Sequence, residues 1–139
     1  MKDLKGKNAI VTGGSKGIGK SVCLTLANAG ANVYILDIDK HEGLKTVKEV
    51  SELGVKSDFY EINVGNEVEW IDLFNVLKNK KILLDILVNN AGIWIGKDID
   101  NVSLEEYHRL ISINLTGVFL GTKYLIPRNT PVKLIDISF

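Results

Sequence analysis

The feature that most restricts the fold is a glycine-rich turn caught between an apolar run and a helical pattern. Asn8-Ala9-Ile10-Val11 reads as a short buried strand. It is followed by Thr12-Gly13-Gly14-Ser15-Lys16-Gly17-Ile18-Gly19, and then Ile18, Val22, Leu26 and Ala29 recur at helical spacing until Gly30 supplies a stop. A strand that turns directly into a helix opens a βαβ unit, and the helix N-terminus there can meet a pyrophosphate. Glycines at 13, 17 and 19 remove the side chains that would hold phosphates away from backbone N–H groups. Ser15 and Lys16 add a hydroxyl and a cation. The spacing alone also suits a flexible turn; the flanking strand and helix favour the phosphate site. It is neither G-x-G-x-x-G nor a Walker loop, because Lys16 precedes Gly17-Ile18-Gly19.

The alternation continues along the chain. Val33-Tyr34-Ile35-Leu36 predicts a second strand, and Leu44, Val47, Val50 and Leu53 a helix closed by Gly54. Phe59 to Ile62 is a third strand, and the next helix carries Val68, Ile71, Leu73, Val76 and Leu77. A fourth strand lies within Ile82 to Val88, a run that includes Asp85 and stops at Asn89-Asn90-Ala91-Gly92. Ser103 and Glu106 form a capping box opening the longest helix, through Tyr107, Ile111, Leu115 and Phe119, which Pro127 ends or kinks. Leu134 to Ile137 is a fifth strand. Strands alternating with helices predict a single α/β domain over 1–139: a doubly wound parallel sheet of about five strands, helices on both faces.

Composition enters as a set of exclusions. Lys plus Arg and Asp plus Glu each number 17, so no net field draws the chain to nucleic acid. No apolar run approaches a membrane span, and the polar N-terminus is not a signal peptide. The expected location is the cytoplasm. His41 and His108 have no Cys or carboxylate cluster, so no metal site is expected. The single cysteine, Cys23, is expected to pack in the first helix.

Asp37, at the end of the second strand, stands near the distance from the glycine turn at which a carboxylate accepts hydrogen bonds from adenosine ribose hydroxyls. A carboxylate there repels a 2′-phosphate and favours NAD over NADP; Lys16 pulls the other way, with less weight. Asp39 reads as a loop or helix-capping residue.

With these residues in order, the chain resembles the short-chain dehydrogenase/reductase family, in its non-extended branch. The resemblance is carried by Thr12 to Gly19, Asp37, Asn89-Asn90-Ala91-Gly92, and Asn114 within Ser112-Ile113-Asn114-Leu115. It implies a Rossmann fold and a nicotinamide cofactor, with Gly13, Ser15, Lys16, Gly17, Ile18, Gly19 and Asp37 holding the adenosine diphosphate portion. Asn63 and Val64 fall where the family has Asp-Val beside the adenine, and Asn90, Ala91 and Gly92 would line the ribose and nicotinamide side. Asn89 either ties strands together or touches cofactor. Asn114 matches the family's proton-relay asparagine, or is a buried amide. The tract from Asn114 to Pro127 looks like members acting on secondary alcohols or 3-oxoacyl groups.

The family's chemistry also needs a Tyr with a Lys four residues later, and a Ser. Tyr34, Tyr60, Tyr107 and Tyr124 are followed at that offset by Ile38, Val64, Ile111 and Arg128. Ser138 is the candidate serine. It takes the catalytic place only if the alignment slips by one; otherwise Phe139 does. Tyr124 reads as a packing residue. The expectation is an oxidoreductase's cofactor half, truncated after the fifth strand and inactive alone, with an inactive binding module or a remnant as alternatives. Completed, it would take a small-molecule substrate and form a homo-oligomer through the helix spanning 103–126. Trp70 is expected partly in the core, Trp94 either beside the nicotinamide or not, and Lys78, Lys80 and Lys81 in solvent.

Overall fold

The computed structural model describes residues 3–126 and 131–137. Five parallel strands, β1 (Asn8–Thr12), β2 (Asn32–Asp37), β3 (Ser57–Glu61), β4 (Ile86–Asn89) and β5 (Lys133–Asp136), form one sheet in the order β3-β2-β1-β4-β5. Among the described residues five α-helices connect them: α1 (Gly17–Asn28), α2 (Lys40–Ser51), α3 (Glu67–Asn79), α4 (Leu104–Ile111) and α5 (Gly117–Leu125). Both faces of the sheet are covered, so the inner strands read as continuous apolar runs.

The two-residue pleat divides those runs between two cores. Ala9, Val11, Val33, Ile35, Ile86 and Val88 pack against Cys23 and Ala27 of α1 and Val50 of α2. On the other face Ile10, Tyr34, Leu36 and Leu87 pack against α3 and α5. Trp70 is fully buried there, its indole N–H donating to the Val64 carbonyl at 2.7 Å. Tyr124 of α5 packs against this core and its hydroxyl donates to Glu67 of α3 at 2.6 Å, beside Lys123 at 2.9 Å.

Several helical faces differ from the periodicity of large apolar residues. The buried stripe of α1 is Gly19, Cys23 and Ala27, and Ile18 is exposed. Small residues let that helix approach the sheet closely. In α2 the buried positions are Gly43, Thr46 and Val50, while Leu44 and Leu53 are exposed. A side chain on Gly43 would strike the Phe59 ring. In α3, Trp70, Leu73 and Leu77 face inward, leaving Val68, Ile71 and Val76 outside. Lys80 does not simply face solvent: it pairs with Asp58 at 3.0 Å and lies over the Tyr60 ring.

The helix expected over 103–126 is not uniform. Ser103 and Glu106 close the predicted capping box, but after α4 the chain widens into a π turn at Ser112–Thr116 before α5. Ile126 is extended, as a residue before proline must be. Pro127, Arg128, Ser138 and Phe139 lie outside the described residues, together with the expectations placed on them. Among the described residues no helix is long and apolar enough to cross a membrane.

Candidate dinucleotide-binding site

The strand order reverses between β1 and β4, and in an open α/β sheet the carboxyl ends of the strands beside that point form a crevice. A cleft of about 700 Å³ lies there, lined on one side by Gly13, Lys16, Ile18 and Gly19 and on the other by Asn90, Ala91 and Gly92. Its volume falls in the range usual for small-molecule sites.

The two turns are bonded to each other. Thr12, buried at the end of β1, accepts at its hydroxyl from the Asn90 and Ala91 N–H groups, both at 3.0 Å. The Asn90 amide returns two bonds, to the Thr12 and Gly13 carbonyls, at 3.0 Å each. Gly13 has φ +64 and sits against the Ala91 backbone. A β-carbon on Gly19 would collide with the Gly13 carbonyl and the Asn90 amide, so α1 is pressed directly against the turn.

The start of α1 is open. In α2, α3 and α4, the N-cap residues Asp39, Asn66 and Ser103 accept from the first turn; Lys16, at the same position of α1, offers no side-chain acceptor. No acidic residue stands in the first turn of α1 either. Unsatisfied N–H groups and the helix dipole there suit an anion. A glycine cradle that a β-carbon would fill, ending on an uncapped helix, fits the diphosphate of a dinucleotide.

Asp37 ends β2 at the cleft. Its Oδ2 accepts from the Ser15 N–H at 3.1 Å and from the Ser15 hydroxyl, and its Oδ1 from the Asp39 N–H at 3.1 Å. Ser15 is buried and its carbonyl accepts from Thr46, so its side chain sets the Asp37 carboxylate rather than facing the cleft. Asp39 caps α2 by accepting from the Glu42 N–H at 3.1 Å, and that bond, with Lys16 3.4 Å away, holds its carboxyl below the usual range.

Asn63 and Val64 also line the cleft, below the end of β3; the Asn63 Oδ1 accepts from the Gly65 N–H at 3.0 Å. Gly17 begins α1 outside the lining. Asn89 is buried in β4, also outside it. Asn114, in the π turn, touches the backbone of Ile93, just past Gly92. Trp94 is exposed and stands apart from the cleft. Of the lining, Leu36, Ile38, Ile62, Ile93 and Arg109 carry no site signal in the sequence, and Ser112 and Ile113 enter it only as neighbours of Asn114 in its motif. For Arg109 the only clue is the helical face it shares with Ser112 and Ile113.

The family model of short chain dehydrogenases matches residues 7–131. Among curated relatives, a cyclopentanol dehydrogenase of Comamonas sp. is 39% identical over 120 residues, covering 86% of this chain and 48% of its own. An NADP-dependent (R)-specific alcohol dehydrogenase of Lentilactobacillus kefiri is 37% identical over 125 residues, 90% of this chain and 49% of its own. The chain thus spans about half the length of these relatives. The solved RhlG/NADP active-site complex of Pseudomonas aeruginosa superposes with TM-score 0.85 at 29% identity, over 96% of this chain and 55% of that one. By the match over residues 7–131, on a fold shared with a solved member of that kind, the chain belongs to the short chain dehydrogenase family.

Proposed function

We propose that these residues bind NAD, in preference to NADP, as the cofactor portion of an oxidoreductase acting on a secondary alcohol, a ketone or a 3-oxoacyl group. The α1 N-terminus and Lys16 would take the diphosphate, Asp37 the adenosine ribose, Asn63 and Val64 the base, and Asn90 to Gly92 the nicotinamide ribose side. When bound, the nicotinamide supplies or accepts the hydride. The residues here bind and orient it.

The observation that carries the NAD preference is the Asp37 carboxylate, fixed by Ser15 and the Asp39 N–H at the mouth of the cleft. Asp39, two residues on, pairs with Lys16, so the one ammonium at this end of the cleft already has a carboxylate partner. Two of the relatives above are named with NADP; the charge at this chain's own ribose position favours the other cofactor. Fluorescence titration with NADH and NADPH tests the reading. Asp37→Ala is expected to weaken NADH and to narrow the gap between the two; an unchanged preference would sink the assignment of Asp37.

No tyrosine among the 139 residues is followed by lysine four positions later. The reading therefore assigns these residues binding and leaves the proton transfer to groups outside them. NADH binding without turnover of simple secondary alcohols is the expected behaviour of the isolated chain. Alcohol-dependent NADH formation by it would overturn that division.

We also propose self-association through the segment from α4 to α5, because Leu104 and Tyr107 of α4, Leu115 of the π turn and Phe119 of α5 are all exposed. Sedimentation should show a concentration-dependent dimer that Phe119→Lys weakens; a monomer at all concentrations would refute it.

A further inference from the structure

We infer that Arg109 is a binding residue of the cleft, closing over the adenine by stacking its guanidinium on the base; this rests on the cofactor reading above. Leu36, Ile38, Ile62, Val64 and Ile113 give the cleft an apolar end, a slot suited to a flat heterocycle. Arg109 lies four residues before Ile113 and three before Ser112, so the three share one helical face, and all three line the cleft. Ser112 in turn lies against Gly65, directly after Val64. Arg109 thus stands one helical turn before this apolar wall, in the lining of the cleft and of the adjoining pocket beside Ile93 and Trp94.

The charge of Arg109 is uncommitted. Its neighbour at i−3, Glu106, has both oxygens occupied, Oε1 by Lys97 and Oε2 by the Ser103 N–H. Glu105, at i−4, makes no ion pair with it among the described residues, and Arg109 has no salt bridge there of any kind. A planar, weakly hydrated guanidinium free of carboxylates stacks readily on an aromatic face. An ammonium or a neutral side chain at this position would not cover a base in the same way.

Titration calorimetry of the 139-residue chain with AMP and with nicotinamide mononucleotide tests this, because both ligands carry one phosphate and one ribose but only AMP carries adenine. Arg109→Ala is expected to weaken AMP and NADH about three- to fivefold, the range for an exposed cation–π contact. Nicotinamide mononucleotide should bind as before. Equal loss for both mononucleotides would make Arg109 a phosphate contact and overturn the inference, as would unchanged AMP binding in a variant with native circular dichroism. A wild-type chain that binds neither AMP nor NADH would instead remove the cofactor reading, and this inference with it.

Discussion

Asn114 and Ile93 are joined through both ends of one amide: the Ile93 N–H donates to Asn114 Oδ1 at 2.8 Å, and Asn114 Nδ2 donates to the Ile93 carbonyl at 2.9 Å. The pair ties the segment leaving β4 to the π turn, so it fixes the wall of the cleft just past Gly92. Asn114→Ala leaves a partly buried donor and acceptor unpaired and is expected to cost roughly 1–3 kcal/mol. Urea denaturation measures it. An unchanged midpoint would mean that solvent replaces the amide without loss.

Gly19→Ala should separate binding from folding. The added methyl meets the Gly13 carbonyl and the Asn90 amide, both belonging to the turns that frame the cleft. Overpacking of this kind costs about 1–3 kcal/mol, and relief requires α1 to move away from the turn. NADH affinity should fall at least about tenfold, while far-ultraviolet circular dichroism keeps its helical signal. Retained affinity would show that the turn yields without altering the anion site.

Cys23 is fully buried, and that burial pushes its thiol up to about 12. The thiolate is the reactive form. Iodoacetamide at pH 8 should therefore leave the native chain unmodified and label it in urea at the rate of a free thiol. Native labelling at the free rate would place Cys23 outside the core.

Glu106 predicts an acid limb of stability. Lys97, then the Ser103 N–H, lower its carboxyl from 4.5 to about 2. A depressed folded-state value means that its contribution is present above the unfolded value and lost as pH falls through the folded one. The stability difference between wild type and Glu106→Gln should be constant above pH 4.5 and shrink from there towards pH 2. A difference independent of pH across that window would show that the Lys97 pair contributes nothing.

The strands were legible because each is a short apolar run closed by Gly, Asn or Asp, and the doubly wound architecture follows from their alternation with helices. Gly13, Asp37 and Asn90 were legible for a related reason: turns at strand ends tolerate few side chains, so their residues stand out. The helical faces were read less well. The stripe Gly19-Cys23-Ala27 is buried by proximity rather than by bulk, and no search for large apolar residues finds it. Ser15 stands in the glycine motif, yet its neighbour Asp37, 22 residues away in sequence, takes its hydroxyl; only tertiary structure brings that about. The π turn has no sequence signature of its own, because Ser112 to Thr116 keeps a helical pattern on both sides.

That π turn bears on which changes in chain length the protein tolerates. The π turn winds its extra residue into a wider turn, so deleting one residue from Ser112–Thr116 would let the segment return to α winding with α5 close to its present rotation relative to α4. Leu120 and Leu125 would keep their places in the core, and the change would fall on Asn114, whose hold on Ile93 depends on its position in the wider turn. A stretch that looks like ordinary, half-exposed helix could thus lose a residue without unseating α5, and the loss would fall on the wall of the cleft instead.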